Sequence, residues 1–431
     1  MIRTRFPSLL AAASALALVS ACGGTDDPEE GDRVATEQNA PDYGYETYSD
    51  DNLADTMASN DEAYLGSDRS EGTNGGSTSP SSSDTADSGD GNSARQDAEI
   101  EDSEERPIMR LQVALDRTGF GPGVIDGKMG MSTENALRGF QEANDIEVTG
   151  ENDEATREAL ARYDRLPATR VVTIPESWGE NTYYDIPEST EAKAEMERLG
   201  YKSLDEKLAE RFHTTIEVLR RLNPGGRPAG AEGSSEDDAS SDSGGSEDAS
   251  GGSYFTAGQM VRVPNIGADR IAPAVVEDRE WQRVLASLGV GTEQPEVDRI
   301  VVSKAGKTLK AYSGEDLVAL FTVSSGSSEF PLPLGEWNIV GEAYMPPYSY
   351  DPEVLGLENA EQETYTLPPG PNGPVGVVWI DLSKEHYGIH GTPDPETIGR
   401  AQSSGCVRLT NWDAARLSQM VSQDTQVIFE A

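Results

Sequence analysis

The chain has 431 residues, 35% of them hydrophobic, and a formal net charge of −43 at pH 7. Its length allows about two to four domains, but abundant Gly, Ser and acidic residues indicate that much of it is not core. The acidity argues against nucleic acid and against electrostatic docking to anionic lipid, because a strongly negative chain repels both. The chain contains two cysteines, Cys22 and Cys406, which excludes a disulfide scaffold.

Residues 1–22 have the pattern of an export signal. Arg3 and Arg5 precede the run LLAAASALALVSA, which is shorter than the roughly 20 residues that a membrane span needs. The segment VSAC, ending at Cys22, resembles a bacterial lipobox. The resemblance implies that Cys22 becomes the lipidated N-terminus and anchors the protein in the cell envelope, facing the periplasm. An N-terminal transmembrane anchor is the alternative.

Residues 23–105 contain 24 acidic and 3 basic residues and almost no hydrophobic periodicity. Such a composition cannot bury enough apolar surface to fold, so we predict a disordered acidic linker. It would span on the order of 50 Å as a flexible coil and more under self-repulsion. The folded part could then act well away from the membrane.

Residues 106–163 are predicted to form a three-helix bundle, because apolar residues recur at helical spacing and glycines separate the helices. A longer string resembles the peptidoglycan-binding domain of cell-wall enzymes. The string comprises Leu111-Gln112, Gly119-Phe120, Asp126-Gly127, Gly130, Thr133, Phe140-Gln141 and Thr149-Gly150. The resemblance implies attachment to wall material, and a purely structural spacer is the alternative.

Residues 164–268 resemble a divergent LysM module, a small βααβ fold that binds glycans. The segments YKSLDEKLAERFHTTIEVLRRLNP and GQMVRVPN carry the resemblance, and we expect residues 171–175 to pair with residues 260–264. An insertion rich in Gly, Ser and acids, residues 225–253, is predicted to be disordered. The Gly-Asp-Thr turn that usually precedes the first helix of a LysM module is replaced here by KSL, residues 202–204. The module is therefore as well interpreted as packing against the next domain as binding glycan. Residues 269–297 are predicted to form a linker helix.

Residues 298–431 contain short runs rich in Val, Ile and aromatic residues, such as RIVVS, TLKAY, LVALFTV and VGVVWIDL. These runs predict strands separated by turns. One helix is predicted near the end, from Trp412 to Val421, with Thr410 or Asn411 as its cap. The sequence therefore predicts a multidomain α+β protein whose C-terminal domain is mainly β and sandwich-like.

Cys406 is the informative residue of this domain. If Cys22 is lipidated, Cys406 is a solitary thiol in an exported protein, either buried and inert or functional. Gly405 permits a tight turn that would expose the sulfur and turn backbone N–H groups toward an oxyanion. His390, at the end of the strand-like YGIHG, can take the thiol proton. His386 would share its strand face and is the weaker candidate for the base.

The string HGTPDPETIGRAQSSGCVRL resembles the signature of the L,D-transpeptidase family, and the flanking LPPGPNGPVGVVWIDL and LTNWDA resemble that family too. The resemblance implies that Cys406 is the nucleophile and His390 the base, which the carbonyl of Gly391 would orient, with Ser403 as runner-up. The amides of Ser404, Gly405 and Cys406 would form the oxyanion hole. The side chains of Arg408, Tyr387 and Trp379 would bind the substrate. Arg408 would bind a stem carboxylate or stabilise the cysteine loop.

The implied reaction cuts the amide between the third residue of a tetrapeptide stem and its terminal D-alanine, and an amine of a second stem then resolves the thioester to a 3→3 cross-link. Residues 343–370 would form a wall of the groove that holds the stem peptides.

A hydrolase of the same fold would resolve the thioester with water instead of an amine. A noncatalytic lipoprotein that binds the cell wall is the alternative from a different functional class. A zinc peptidase is a poor fit, because the chain has three histidines and no His-Glu-x-x-His pattern to supply the ligands. We expect no cofactor or metal; the partners are stem peptides, glycan strands and, through Cys22, a membrane.

Overall fold

The computed structural model describes residues 100–231, 253–267, 276, 278–328, 330–352, 363–401 and 405–431. The predicted signal with Cys22, most of the predicted linker and most of the 225–253 insertion lie outside these residues. No helix in the described part of the chain is long and apolar enough to cross a membrane.

The accessory part of the chain, up to residue 267, contains six helices and one pair of strands among the described residues. They are α1 (Pro107–Arg117), α2 (Met131–Ala143), α3 (Glu154–Ala159), β1 (Thr169–Thr173), α4 (Thr190–Ala194), α5 (Leu204–Arg211), α6 (Ile216–Leu222) and β2 (Met260–Pro264).

The C-terminal part begins with one helix and continues mainly as strands. The elements are α7 (Arg279–Leu288), β3 (Arg299–Ser303), β4 (Thr308–Ser313), β5 (Asp316–Thr322), β6 (Ser324–Ser325), β7 (Gly335–Tyr344), β8 (Tyr348–Tyr350), β9 (Tyr365–Leu367), β10 (Val378–Leu382), β11 (Gly388–His390), β12 (Val407–Arg408), α8 (Asn411–Ser418) and β13 (Gln426–Glu430).

Two buried glutamines hold the turns of the α1–α3 bundle. The amide nitrogen of Gln112 donates to Asp126 Oδ1 and Thr133 Oγ1, both at 3.1 Å, and its oxygen accepts from the Gly127 N–H at 2.8 Å. Gln141 binds the turn at Thr149 and Gly150 in the same way. Buried polar side chains need such partners. These signature residues therefore shape the bundle itself.

Among its described residues, the module that follows has three α-helices between its two strands, so its order is βαααβ where βααβ was predicted. The additional helix, α4, has no buried residue and therefore no apolar pattern in the sequence that indicates it. The strand pairing also differs from the prediction. Thr169 pairs with Pro264 and Thr173 with Met260, so the first strand lies two residues earlier than expected. The apolar pattern alone did not fix the register, since Val171, Val172 and Ile174 offer more than one phase of alternation.

One end of each predicted disordered segment is packed in the structure. Arg262, which is 2% exposed, donates to the backbone oxygens of Ile100, Glu101 and Ala229. Residues 100–105 and 225–231, assigned to the linker and the insertion, therefore belong to the folded module. Their polar sequences concealed this because the bonds use backbone carbonyls, which every residue type supplies.

The strands of the C-terminal domain form one nine-stranded ladder in the order β5-β4-β3-β13-β7-β10-β11-β12-β6. The long strand β7 pairs with β13 through its first half and with β10 through its second. The two end strands, β5 and β6, are joined by Val323 alone, so the ladder curls back on itself. This agrees with the predicted mainly β domain, and its interior is apolar. β8 and β9, within the 343–370 segment, pair separately as a short antiparallel ribbon.

The accessory modules pack together and against this sheet. Their apolar residues form one core that includes Leu320 of β5. The Gly121 N–H donates to the Leu320 oxygen at 2.8 Å, which covers the exposed edge of β5. Gly139 of α2 lies so close to Leu320 that a Cβ there would stand 2.8 Å from the leucine Cβ. The module of residues 164–268 also packs against the C-terminal domain, which is one of its two alternative interpretations, since Leu199 exchanges backbone hydrogen bonds with the 369–372 loop.

Candidate active site

Three neighbouring strands, β10, β11 and β12, carry the candidate catalytic residues on one face of the sheet. Trp379 lies opposite His390, and His390 lies opposite Arg408. Side chains of directly opposed residues project from the same face of a sheet. Ile389 lies opposite Val407, so Cys406, one residue before β12, is level with Gly388. The register thus brings Cys406, His390, Arg408 and Trp379 to a common face.

The His390 imidazole is held in one tautomer. Its Nδ1 lies 2.7 Å from the carbonyl oxygen of Gly391, and a carbonyl can only accept, so Nδ1 carries the proton and Nε2 the lone pair. His390 is 4% exposed, and the Trp379 indole stacks on it at 5.5 Å between ring centroids. The predicted orienting role of the Gly391 carbonyl is therefore geometrically available.

Burial and, to a smaller extent, the positive charge of Arg408 together lower the pKa of His390 to about 3, against the opposing effect of the Gly391 hydrogen bond. The imidazole is neutral at neutral pH as a result. A neutral imidazole with a free Nε2 can accept a proton from a thiol.

The Cys406 side chain is partly exposed, and its thiol lies 3.7 Å from the backbone oxygen of His386. Burial of the sulfur raises the pKa of the thiol, and the carboxylate of Asp381 raises it as well. A backbone hydrogen bond from Gly388 and the charge of Arg408 act in the opposite direction. The resting pair is thus a neutral thiol and a neutral imidazole, and a thiolate must be generated by proton transfer.

Gly405 and Gly388 create the space around the thiol. Gly405 has φ of +107°, and a Cβ there would lie 2.6 Å from the Tyr387 ring. A Cβ at Gly388 would overlap the Trp379 indole. Tyr387 and Trp379, predicted as substrate-binding residues, therefore flank the cysteine loop and the histidine.

Two predicted features differ from the structure. Strand β11 begins at Gly388, so His386 lies outside it in a turn with φ of +65° and does not share the face of His390 by strand alternation. Its exposed imidazole lies 3.5 Å from Glu385. The final helix was expected to run from Trp412 to Val421; it spans Asn411–Ser418, and the Thr410 hydroxyl accepts from the Asp413 N–H as its N-cap.

Ser403 and Ser404 lie outside the described residues, so their predicted roles stay predictions. Asp381 was not singled out from the sequence. The alternation of the run VVWIDL offered a signal, because it places Asp381 on the Trp379 face, but an aspartate at a strand end also reads as a turn residue. In the described ranges no three His, Cys, Asp or Glu side chains are grouped as a metal site requires.

Two regions of the chain match known family models. Residues 297–429 match the "L,D-transpeptidase catalytic domain", and residues 105–160 match the "Putative peptidoglycan binding domain". A "Putative L,D-transpeptidase YkuD" of Bacillus licheniformis is 36% identical over 129 residues, which are 30% of this chain and 63% of the relative. The protein of that name from Bacillus subtilis is 51% identical over 57 residues, 13% of this chain and 35% of the relative.

Among solved structures, an L,D-transpeptidase from Mycobacterium smegmatis is 23% identical with a TM-score of 0.27, over 32% of this chain and 59% of that one. The catalytic domain of an E. faecium L,D-transpeptidase is 17% identical with a TM-score of 0.24, over 32% of this chain and 99% of that one. The chain thus spans less than two thirds of the Bacillus relatives and of the mycobacterial structure. By sequence, its C-terminal part carries a match to the L,D-transpeptidase catalytic domain and its first helical module a match to a peptidoglycan-binding domain.

Proposed function

We propose that this protein is an exported, lipid-anchored L,D-transpeptidase that forms 3→3 cross-links in peptidoglycan through a thioester on Cys406. The observation that carries the proposal is the 2.7 Å contact between His390 Nδ1 and the Gly391 oxygen. It leaves Nε2 of a neutral imidazole as a proton acceptor on the sheet face that carries the cysteine.

In the acylation step, Cys406 Sγ attacks the carbonyl carbon of the amide between the diamino acid and the terminal D-alanine. His390 Nε2 takes the thiol proton, and the backbone N–H groups of Ser404, Gly405 and Cys406 stabilise the oxyanion. The carbon–nitrogen bond then breaks and His390 returns the proton to the leaving nitrogen. D-Alanine departs and the stem remains as a thioester.

In the second step, the side-chain amine of another stem attacks the thioester carbonyl. His390 takes a proton from the attacking nitrogen and protonates the departing sulfur, which restores the thiol and leaves a new amide. Water in place of the amine would give a tripeptide, the product of a carboxypeptidase. The 343–370 segment would favour the amine by limiting access of water to the thioester.

The charge of Arg408 supports this chemistry in two ways. It opposes the imidazolium, which keeps the resting His390 able to accept a proton, and it favours the thiolate that forms when His390 takes the thiol proton. The guanidinium would also bind a stem carboxylate in two-point fashion. Tyr387 and Trp379 would contact the stem beside it, and Ser403 is the second candidate to orient His390.

Mass measurement of the intact protein after incubation with tetrapeptide muropeptides or a carbapenem tests the proposal. The parent should gain a covalent adduct, Cys406→Ala should gain none, and His390→Ala should react at least 100-fold more slowly. His386→Asn is the matched control, because asparagine accepts the positive φ of that turn, and it should react like the parent. An adduct that persists in Cys406→Ala would overturn the assignment.

The reaction products separate the two candidate activities. Free D-alanine together with a cross-linked dimer identifies a transpeptidase. Free D-alanine with tripeptide alone identifies the carboxypeptidase. If no stem yields either product, the remaining candidate is a noncatalytic protein that binds the wall.

We propose that the α1–α3 bundle retains the enzyme on wall material. A groove of about 460 Å³ is lined by residues such as Leu111, Met129 and Arg138, and Met129 is 45% exposed although it is apolar. Met129→Asp should reduce cosedimentation of the full chain with purified sacculi. Val148→Asp is the matched control, because Val148 is 49% exposed but does not line the groove. Equal cosedimentation of both variants and the parent would remove this role.

The proposed lipid anchor depends on Cys22. Cys22→Ala should release the protein from membranes into the soluble fraction after cell lysis, because the acidic chain offers no electrostatic attraction to lipid. A variant that stays as firmly bound as the parent would contradict the anchor.

A further inference from the structure

A helix of the accessory module contacts the catalytic domain behind its active site. Glu210 of α5 is 9% exposed, and its Oε1 accepts from Asn411 Nδ2 at 2.7 Å. The two residues are 201 positions apart in the chain. A charge-assisted hydrogen bond of this length, shielded from water, is among the stronger polar contacts in proteins.

Asn411 is fully buried at the start of α8 and has one defined orientation. Besides Glu210, its Nδ2 donates to the Pro371 oxygen at 3.1 Å, and its Oδ1 accepts from the Val377 N–H at 3.3 Å. The donor and acceptor sides of the amide are therefore distinguished by their partners, and a flipped amide would place like groups together.

The oriented amide lies against Gly391. A Cβ at Gly391 would overlap Asn411 Oδ1, so the asparagine fills the space next to this glycine backbone. The carbonyl of the same glycine accepts from His390 Nδ1. A continuous line of contacts thus runs from Glu210 through Asn411 and Gly391 to His390.

We propose that Glu210 is a positioning residue, which fixes Asn411 so that the Gly391 carbonyl holds the catalytic imidazole toward Cys406. The inference rests on the proposed roles of Cys406 and His390. A hydrogen-bonding constellation must be held within about 0.5 Å to be productive, and a buried asparagine with a missing partner can tilt by more than that. The accessory module therefore supplies part of the scaffold of the active site.

The requirement is for a hydrogen-bond acceptor at this position, which a neutral side chain can also supply. Burial raises the pKa of Glu210 to about 7, against the hydrogen bonds from Tyr201 and Asn411. A protonated carboxyl group and a glutamine amide both present a carbonyl oxygen to Asn411. Glu210→Gln should therefore preserve the contact, whereas an apolar side chain of similar volume removes it.

Glu206 provides a matched control on the same helix. Its Oε2 accepts from Asn372 Nδ2 at 3.1 Å, so it crosses the same interface to a neighbouring loop of the catalytic domain. In the described part of the chain, Glu206 forms no hydrogen bond with Asn411. Glu206→Met removes an interface hydrogen bond. It also removes a charge that raises the pKa of Glu210, but Glu210 offers an oxygen to Asn411 in either protonation state, so the contacts that lead to His390 stay in place.

The test is the pH dependence of the rate at which iodoacetamide alkylates Cys406. The full chain carries Cys22→Ser in all variants, so that Cys406 is the one thiol, and thermal melts confirm folding. Glu210→Met should slow alkylation at pH 7 about tenfold but leave it near the parent's rate at high pH, because the base is needed only while the thiol is protonated. Glu210→Gln and Glu206→Met should stay within about twofold of the parent. Glu210→Met removes the buried hydrogen bond to Asn411 and leaves Asn411 Nδ2 with the Pro371 oxygen as its remaining acceptor, so the variant should melt at a lower temperature than the parent.

An unchanged pH profile in Glu210→Met overturns the inference, and so does an equal slowing in Glu206→Met, which would mean that any loss at the interface disturbs the thiol. If Glu210→Met does not fold, Glu210→Ala and Glu210→Gln are compared in the same assay, and equal profiles overturn the inference. Alkylation needs no peptidoglycan. A parent enzyme that releases no D-alanine would therefore refute the proposed function without affecting this measurement.

Discussion

The indole of Trp379 stacks on the imidazole of His390 at 5.5 Å between ring centroids and 22° between ring planes, across the paired strands β10 and β11. The ring of the histidine is therefore fixed by two contacts, the Gly391 carbonyl at Nδ1 and the indole on its face. The indole can take this place because it lies over Gly388, which has no side chain.

Gly388→Ala should displace the indole. The added methyl would overlap three atoms of the Trp379 ring system, so the ring must move away from His390. We expect a loss of about 1–3 kcal/mol in stability from overpacking and a fall of roughly tenfold or more in the rate of acylation. Adduct formation by intact mass and a thermal melt measure the two effects.

Gly341→Ala is the control for that substitution. Gly341 lies opposite Asp381 in the same sheet, and a Cβ there meets nothing within 4 Å. It should leave the acylation rate unchanged. Equal rates for Gly388→Ala and the parent would show that the position of Trp379 does not matter for the base.

Asp381→Asn should make Cys406 more reactive. The carboxylate accepts from Trp379 Nε1 at 3.1 Å, and its negative charge raises the pKa of the Cys406 thiol by opposing a second negative charge. Asparagine keeps an oxygen for the indole N–H but removes the charge, so the pKa of the thiol should fall. We expect alkylation at pH 7 to accelerate about twofold to tenfold, given that Asp381 is partly exposed to screening solvent.

Glu336→Gln is the control for the charge effect, because Glu336 is exposed on the same sheet. It removes one negative charge and should leave the alkylation rate within the error of the measurement. Slower alkylation in Asp381→Asn would mean that the carboxylate positions the site rather than opposing the thiolate.

The sequence predicted the central pair of the candidate site because its motif is local. Cys406, Gly405 and His390 lie within one strand–loop–strand segment, and in the structure the two strands of that segment, β11 and β12, pair with each other. The geometry of the Gly391 carbonyl follows from its place next to His390. These features need no knowledge of distant parts of the chain.

The contact between Glu210 and Asn411 was not predictable in this way. In the sequence, Glu210 is one acid on an amphipathic helix with several, and Asn411 reads as a helix cap. The two residues come into contact only because α5 docks against the catalytic domain. Docking depends on the sum of many weak contacts, which a local sequence pattern does not show. His213, two residues after α5, also has contacts that depend on docking: its ring stacks on Trp412 at 4.9 Å between ring centroids, and its Nδ1 lies 3.3 Å from Asp116 Oδ1 of α1.

Asp413→Asn should abolish part of the pH dependence of stability. Asp413 is 1% exposed, and burial raises its pKa to about 6, with the charge of Asp116 adding to the effect and Arg416 opposing it. The unfolded chain has the ordinary pKa of about 3.9. Between about pH 4 and pH 6 the folded state therefore binds a proton that the unfolded state has lost, and stability falls as the pH rises.

The size of this fall has an upper bound of about 3 kcal/mol, since two pKa units correspond to about that free energy. The asparagine variant should lack it, so that the difference in melting temperature between variant and parent grows in favour of the variant from pH 4 to pH 7. Asp316→Asn, at an exposed position of β5, is the control. A melting temperature that changes with pH by the same amount in Asp413→Asn and in the parent would contradict the prediction.

Gly405→Ala should inactivate the enzyme while the chain stays folded. Gly405 has φ of +107°, where residues with a Cβ are strained by about 1–3 kcal/mol. The added methyl would also meet the Tyr387 ring at 2.6 Å, so the loop that carries the Cys406 amide and thiol must shift. A displacement near 1 Å can reduce catalysis about 100-fold, and we expect a loss of that order in adduct formation. Gly314→Ala separates the two causes, because Gly314 has φ of +62° in a turn where a Cβ meets nothing within 4 Å. It should lower the melting temperature without changing acylation. If Gly405→Ala acylates as fast as Gly314→Ala, the tight turn before the cysteine is not needed to present the sulfur.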